Sequence, residues 1–160
     1  MARNAYDFYP TPAWAYENLP IDWSLFATAL EPCEGDGRIT RFLQEKGVQT
    51  EGFDLQTGTD YLTSEPEEIY DLILTNPPYS LALEFLDKAL QDAETVIMLL
   101  RINFLGSQKR YEWFKNHEPS SMYVLSKRPS FTGSGTDSTE YAWVVWDSAN
   151  KLTKGISHVL

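Results

Sequence analysis

The run from Asp71 to Tyr79, DLILTNPPY, restricts the fold of this chain more than any other stretch. Asp71–Thr75 is typical of a buried strand. The two prolines that follow fix φ and lack an N–H, and each residue before a proline is driven out of the α region, so Asn76 and Pro77 should be extended. In that conformation the Asn76 amide and the Pro77 carbonyl can face a pocket at the carboxyl end of the strand, where open α/β sheets bind ligands.

Tyr79 adds a flat aromatic face beside the two acceptors of this loop. An amide oxygen, a carbonyl and a ring together suit a planar ligand that carries an exocyclic amine. The alternative is that Asn76–Tyr79 only forms a turn after a strand, because a four-residue motif stays a hypothesis until its context agrees.

With 160 residues the chain is expected to form one domain with a sizeable core. No stretch approaches the roughly 20 apolar residues of a membrane span, and the opening MARNA lacks the apolar core of a signal peptide, so we expect a cytoplasmic protein. Cys33 is the only cysteine, and His117 and His158 are the only histidines. These numbers predict neither an intrachain disulfide nor a metal cluster.

The net charge of −10 is unusual for a protein that binds nucleic acid, because phosphate contacts supply much of such binding. The charge is unevenly distributed. The stretch 101–131 has six basic and two acidic residues, a balance of +4, whereas the remainder has 7 basic and 21 acidic residues, a balance of −14. This asymmetry favours one basic face on an acidic body over ordinary solvation.

Near the N-terminus, Thr11 is placed as the N-cap and Pro12 as the first residue of a short helix over 13–18. The free N–H groups at such a helix end favour a carboxylate or phosphate. The alternative is simply a capped helix.

An apolar run of strand length over 25–31 leads into a glycine turn, and a helix is predicted over 38–46. Gly35 and Gly37 would let the backbone approach a ligand closely. Because Thr40 stands where the last glycine of a dinucleotide fingerprint would be, the pattern counts against NAD and leaves S-adenosylmethionine (SAM) open.

A second strand is predicted over 48–55, with Asp54 at its end about 20 residues beyond the glycine turn, as expected of an acid that binds a ribose. The stretch 58–62 should lie at or just after the end of a third strand. Asp60 could accept a hydrogen bond from an adenine amine, or it could form an Asx turn.

Beyond the Asn-Pro-Pro-Tyr loop the pattern predicts alternating helices and strands. Helices are expected over 80–92 and 108–116, and strands over 95–102, 122–126 and 140–147, the last antiparallel to its predecessor. The small residues of 132–139 suit a substrate lip or a hairpin loop, and the tail from Ser148 should be loose.

The loop Lys127-Arg128-Pro129-Ser130-Phe131 should lie at the functional edge of the sheet. Two cations beside an exposed Phe suit a flipped base, with the phosphate held by charge and the ring stacked on the aromatic. The alternative is a basic loop whose Phe belongs to the core.

Taken together, these motifs resemble a compact bacterial and phage family of SAM-dependent methyltransferases related to DNA N6-adenine methyltransferases. The resemblance runs in collinear order from Asp7 to Asp147 and rests on Tyr-Pro-Thr-Pro, EPCEGDG, Asp54, Asn-Pro-Pro-Tyr, the 101–107 stretch, RPSF and EYAW. It implies a Rossmann-like class I α/β fold: a mostly parallel seven-stranded sheet with an antiparallel C-terminal strand and helices on both faces. It also implies one catalytic domain over 1–147, a tail over 148–160 and no separate target-recognition domain.

The resemblance implies that the Asn76 amide and the Pro77 carbonyl bind the target amine, with Pro78 in the catalytic loop and Tyr79 stacked on the base. The cofactor is SAM. The residues expected to contact it are Tyr9, Thr11, Pro12, Glu31, Cys33, Gly35, Gly37, Asp54, Leu55, Asp60, Tyr61 and Asn76. For Cys33, which lies in the cofactor loop, small buried packing is the favoured role.

The expected reaction is direct transfer of a methyl group to adenine N6 in nucleic acid, with DNA favoured over RNA. Two other readings stay open: an enzyme acting on a protein glutamine or a small amide, and a SAM-binding subunit that needs a partner for its target. A homodimer is a further expected partner, and so is a separate specificity protein, since the resemblance implies no separate target-recognition domain in this chain.

Overall fold

The computed structural model describes residues 9–131 and 139–160. Most of the predicted 132–139 lip and the first two residues of the 7–147 resemblance, Asp7 and Phe8, lie outside the described residues. Within the described ranges, seven strands form one sheet in the order β2-β1-β3-β4-β6-β5-β7. They are β1 Thr28–Glu31, β2 Gln49–Gly52, β3 Tyr70–Thr75, β4 Ala93–Arg101, β5 Ser121–Leu125, β6 Tyr141–Asp147 and β7 Gly155–Val159.

Strand β6 pairs antiparallel with both of its neighbours, β4 and β5, and every other pairing in the sheet is parallel. The predicted mostly parallel seven-stranded α/β sheet is therefore confirmed. Its antiparallel strand is followed in the chain by one more strand, β7, which runs parallel to β5.

In the part of the chain that the structure describes, four α-helices cover the two faces of the sheet: α1 Ala13–Glu17, α2 Arg38–Glu45, α3 Ala82–Asp92 and α4 Tyr111–Asn116. Buried side chains of α1 and α2 belong to one core cluster, and those of α3 and α4 belong to the other. Strand β3 supplies both cores, because Leu72 and Leu74 pack into the first and Ile73 into the second. A strand covered on both faces must be apolar throughout, which explains its sequence LIL.

The expected strand ending near 58–62 is wrong. Leu55–Thr57 and Tyr61–Thr63 are single 3-10 turns, and the third strand is β3 itself. The carboxylates of Asp54 and Asp60 cap these turns by accepting the N–H of Gln56 and Leu62. Such local side-chain bonds compete with a strand ladder.

The expectation of a loose tail after Ser148 is also wrong. Residues 155–159 form β7, the Ser126 N–H donates to the Val159 carbonyl at 2.6 Å, and Val159 is buried. The Asp147 carboxylate accepts the N–H of Leu152 and anchors the connection.

Three neighbouring parallel strands, β1, β3 and β4, end at the same edge of the sheet with Glu31, Thr75 and Arg101. The glycine turn, the Asn-Pro-Pro-Tyr loop and the segment after β4 therefore emerge side by side. This is the edge at which open α/β sheets bind ligands.

Candidate active site

The side chain of Asn76 is held in one orientation at the end of β3. Its amide nitrogen donates to the Thr11 hydroxyl at 3.1 Å and to the Tyr9 carbonyl at 3.2 Å. A carbonyl can only accept, so the NH₂ side of the amide must face Tyr9. The Asn76 Oδ1 atom consequently points the other way, where it is buried and accepts no hydrogen bond from any described residue. A buried acceptor left unpaired costs about 1–3 kcal/mol, which a ligand N–H would recover.

The sequence predicts Thr11 as a helix N-cap, and this prediction is wrong. The Thr11 side chain contacts Asn76 instead of the helix end. Pro12 occupies the N-cap of α1, with φ −63° and ψ 141°, and its carbonyl accepts the Ala15 N–H. Thr11 is 4% exposed, and its hydroxyl faces the Asn76–Tyr79 loop (the target loop) instead. The extended backbone of Pro12 turns Thr11 away from the helix end, which is why the predicted cap does not form.

Arg38 ties this N-terminal segment to the glycine turn. One guanidinium nitrogen donates to the Thr11 carbonyl at 3.0 Å, while Nε and the other nitrogen bind the Asp36 carboxylate at 2.6–3.1 Å. The hydrogen bonds from Arg38 lower the pKa of Asp36. Sequence reasoning missed Arg38, although an arginine directly after a glycine turn was a usable signal.

The turn itself has the backbone that its glycines predict. Gly35 and Gly37 have φ of 56° and 80°, and Gly37 is the N-cap of α2. Residues with side chains rarely adopt such angles. A Cβ at Gly37 would also lie 3.0 Å from the Arg41 guanidinium. The turn therefore presents backbone rather than side chains at these two positions.

The structure brings Asp54 to the glycine turn. Its Oδ2 accepts the Gly35 N–H at 3.1 Å, and its Oδ1 accepts the Gln56 N–H at 2.8 Å. Leu55, also predicted to contact the cofactor, follows directly as the first residue of the 3-10 turn. Strand β2 thus places a fixed carboxylate beside the turn that follows β1.

Glu31 links the glycine turn to the target loop. It is 1% exposed, and its Oε1 accepts both the Thr75 hydroxyl and the Cys33 N–H, the latter at 2.9 Å. Burial raises the pKa of the Glu31 carboxyl to about 8, and the nearby Glu34 and Asp54 carboxylates act in the same direction. Cys33 is half-buried against the second core, in agreement with a packing role.

Aromatic rings surround Tyr79. The ring of Tyr9 is nearly parallel to it, with an interplanar angle of 17° and a centroid distance of 6.2 Å, and Phe131 approaches edge-on at 6.3 Å. Tyr141 lies 6.0 Å away, and the Arg101 guanidinium lies 4.7 Å from the Tyr79 centroid while its Nε donates to the Tyr141 hydroxyl. Phe131 lies beside Tyr79, but it is half-buried and packs against the first core, which is closer to the alternative of a core Phe; its stacking on a base stays a prediction. Tyr9, predicted on the cofactor side, lies beside the target loop, and no individual role was predicted for Arg101 or Tyr141.

The two cations of the 127–131 loop are engaged differently. The Lys127 ammonium lies 4.3 Å from the centroid of the Trp14 ring. Arg128 pairs with Glu140 at 2.5 Å, and both side chains are about half exposed. Arg128 thus has a carboxylate partner in this state, and its predicted phosphate contact stays a prediction.

Two of the residues predicted to contact the cofactor, Tyr61 and Asp60, form hydrogen bonds within the protein. Tyr61 is fully buried and donates its hydroxyl to Asp92 at 2.6 Å, and burial together with that carboxylate raises its pKa. Its hydroxyl therefore faces the end of α3. Asp60 accepts the Leu62 N–H at 3.1 Å in an Asx turn, as the alternative reading had it.

Within residues 9–131 and 139–160, no group of three or more acidic, His or Cys side chains could hold a metal ion. None of the helices described there combines the length and the apolar composition that crossing a bilayer requires.

Comparison with known proteins identifies the fold. No protein-family model matches the chain, and no curated protein matches it by sequence. Among solved structures, the chain is similar to a protein from Listeria monocytogenes assigned to the class I S-adenosylmethionine-dependent methyltransferases, with a TM-score of 0.58, 11% identity and 83% of the chain covered. The methyltransferase subunit of a type I restriction-modification system from Streptococcus thermophilus is similar with a TM-score of 0.59, 13% identity and 89% of the chain covered. A dimethyladenosine transferase from Plasmodium falciparum is similar with a TM-score of 0.56, 16% identity and 86% of the chain covered.

The aligned part of the chain spans 58%, 45% and 61% of these three structures, respectively. At these identities the likeness establishes the fold, which is the Rossmann-like fold of class I methyltransferases.

Proposed function

We propose that this chain is a SAM-dependent methyltransferase that methylates the exocyclic N6 amine of adenine in nucleic acid, with DNA favoured. The observation that carries the proposal is the orientation of Asn76. Its Oδ1 is buried, unpaired among the described residues and aimed away from the Thr11 and Tyr9 contacts, in a loop whose Tyr79 lies among aromatic rings. An acceptor beside flat rings suits an amino group on a planar base.

The glycine turn and its surroundings fit SAM. Gly35 and Gly37 would bring the backbone close to the cofactor, and Asp54, fixed against Gly35, would bind the ribose hydroxyls. The buried Glu31 lies at the end of β1 between this turn and Asn76. SAM would supply a methyl group on a positively charged sulfur, which is a good leaving group.

The protein's share of the chemistry is then mainly to position a weak nucleophile. The Asn76 Oδ1 and the Pro77 carbonyl would accept the two amine hydrogens, favour a pyramidal nitrogen and stabilise the positive charge that develops on it. Holding the amine about 3 Å from the methyl carbon accounts for much of the expected rate. Tyr79 and Phe131 would hold the ring in place by stacking and edge contacts.

A base within nucleic acid is the favoured substrate because three aromatic side chains meet at the target loop. Enzymes that modify bases take the base out of the stack and hold it between aromatic or apolar groups. Two of the structural neighbours are named for related activities, a restriction-modification methyltransferase subunit and a dimethyladenosine transferase.

A protein glutamine amide is the second candidate substrate. The net charge of −10 and the pairing of Arg128 with Glu140 favour it, because both weaken attraction to phosphate. The Asn76 acceptor would serve a carboxamide equally well.

Incubation with methyl-labelled SAM tests the proposal. The chain is offered single-stranded DNA, duplex DNA, RNA and a protein extract in parallel, with Asn76→Ala as the control. Label in N6-methyladenine that disappears in the control is the expected result. Label confined to protein, or no transfer despite measurable SAM binding, would overturn the proposal.

A further inference from the structure

A cleft of about 540 Å³ lies on the part of the chain that follows β4. After Arg101 the backbone makes two 3-10 turns, Ile102–Gly106 and Gln108–Arg110, and enters α4. The cleft lies between these turns, α4 and Pro119. Its apolar lining includes Leu105 and Phe114.

The rim of this cleft carries an exposed ring, one lysine and the Glu118 carboxylate, and a second lysine lies beside the rim in the chain. Tyr111 is 59% exposed, and Lys115 lies four residues later, on the same side of α4. Lys109 is exposed and lies two residues before Tyr111, next to the lining residue Gln108. Neither Lys109 nor Lys115 forms an ion pair with any other residue in the described ranges.

The charge of this region differs in sign from the rest of the chain. Lys109, Arg110 and Lys115 stand against Glu112 and Glu118, a balance of +1, while the remaining residues sum to −11. A polyanion is repelled by most of such a surface, so the region where the cations lie is where it can approach.

The cleft also begins at the same sheet edge as the target loop. β4 lies parallel to β3 and directly beside it, so Ile102 and Asn76 leave the sheet in the same direction. Arg101, the last residue of β4, places its guanidinium 4.7 Å from the Tyr79 ring centroid. A strand whose target base lies at Tyr79 can therefore continue past Arg101 toward the cleft.

We propose that this cleft binds an unpaired nucleotide flanking the target base in single-stranded nucleic acid, an inference that rests on the proposed function. The flanking base stacks on Tyr111 over the apolar floor of Leu105 and Phe114, and the phosphates on either side contact Lys109 and Lys115. Stacking on an aromatic ring suits any base and needs no base pairing, so the cleft selects single strands over duplex without reading sequence.

Binding of a fluorescent single-stranded oligonucleotide, measured by anisotropy without SAM over a series of salt concentrations, tests this proposal. Tyr111→Ala is expected to weaken binding roughly 5- to 100-fold, and Tyr111→Phe, which keeps the ring, to bind like the wild type. Lys109→Ala and Lys115→Ala should each reduce the salt slope by about 0.7. Lys46→Ala removes one exposed cation at the end of α2, which packs on the other face of the sheet, and serves as the charge-matched control, with an unchanged slope.

The outcomes separate this proposal from the proposed function. If Tyr111→Ala and both lysine variants bind like the wild type, the cleft proposal is overturned, whatever the methylation assay gives. If Tyr111→Ala changes the oligomeric state and leaves oligonucleotide affinity intact, the cleft is a protein contact and the proposal is likewise overturned. Tyr111-dependent binding without methyl transfer would uphold the cleft and overturn the activity.

Discussion

The Thr11 hydroxyl lies 3.1 Å from the amide nitrogen of Asn76, a residue 65 positions further along the chain. The same nitrogen also donates to the Tyr9 carbonyl, which can only accept and so sets which end of the Asn76 amide faces the proposed target; the Thr11 contact helps to hold it there. Because Arg38 binds the Thr11 carbonyl and also the Asp36 carboxylate, the same segment is fixed to the glycine turn. Thr11 thus contacts Asn76 through its hydroxyl and Arg38, the first residue of α2, through its carbonyl.

Thr11→Val is predicted to lower kcat up to about tenfold, because the loss of one hydrogen bond worth about 0.5–1.5 kcal/mol leaves the Asn76 amide held by the Tyr9 carbonyl and less firmly oriented. Thr11→Ser keeps the hydroxyl and should restore most of kcat. Steady-state kinetics with labelled SAM measure both variants, and unfolding curves check that they are folded. A Thr11→Val enzyme with wild-type kcat would show that the contact does not orient Asn76.

Tyr9→Ala is predicted to raise the KM for the nucleic-acid substrate several-fold while changing the Kd for SAM less. The reason is that the Tyr9 ring lies beside Tyr79 and Phe131 of the target site. Tyr9→Phe keeps the ring and is the matched control. The opposite result, weaker SAM binding at unchanged KM for nucleic acid, would return Tyr9 to the cofactor role that the sequence had indicated.

Glu31 makes stability depend on pH. Its pKa is raised from 4.5 to about 8 in the folded chain, so between these values the folded state holds a proton that the unfolded state has released. The free energy of unfolding that this group contributes is therefore fully present below about pH 4.5 and lost as the pH rises through about 8. Glu31→Gln mimics the protonated form and should remove this component.

Urea unfolding of wild type and Glu31→Gln at several pH values between 5 and 9 measures the effect, because other titrating groups cancel in the difference. The variant should gain stability relative to wild type as the pH rises. Parallel curves for the two proteins would contradict a raised pKa at Glu31.

Gly52→Ala is predicted to destabilise the chain by about 1 kcal/mol or more. An added Cβ would lie 1.5 Å from the Glu34 carboxylate, which is held by the Thr40 hydroxyl at 3.0 Å. Gly106→Ala is the control, because an added Cβ there meets nothing within 4 Å. Chemical unfolding compares the two variants, and equal stabilities would mean that Glu34 moves aside without cost.

Local patterns in the sequence predicted most of the fold and which residues meet beside the glycine turn. The apolar run of β3 and its two prolines indicated the strand and where it ends, and the spacing from Gly35 to Asp54 indicated that these residues belong together. Both signals lie within short stretches of chain. The hydrogen bond between Gly35 and Asp54 is a direct expression of that spacing.

The contacts that the sequence did not reveal join distant segments. Thr11 was read as a helix cap because a Thr before a proline usually is one, and only the fold brings it to Asn76. Strand β7 was missed for the same reason. GISHV is short and mostly exposed, and its strand conformation depends on pairing with β5, which precedes it by about thirty residues.

Strand β7 covers the outer backbone edge of β5 only after the last part of the described chain has been synthesised. Until residues 155–159 leave the ribosome, the outer backbone edge of Ser121–Leu125 has no strand beside it. Exposed edges of this kind recruit strands from other chains, and pairings between distant segments form late in folding. A nascent chain stopped before Gly155 would thus be prone to aggregate through β5, although the Asn-Pro-Pro-Tyr loop had already been made.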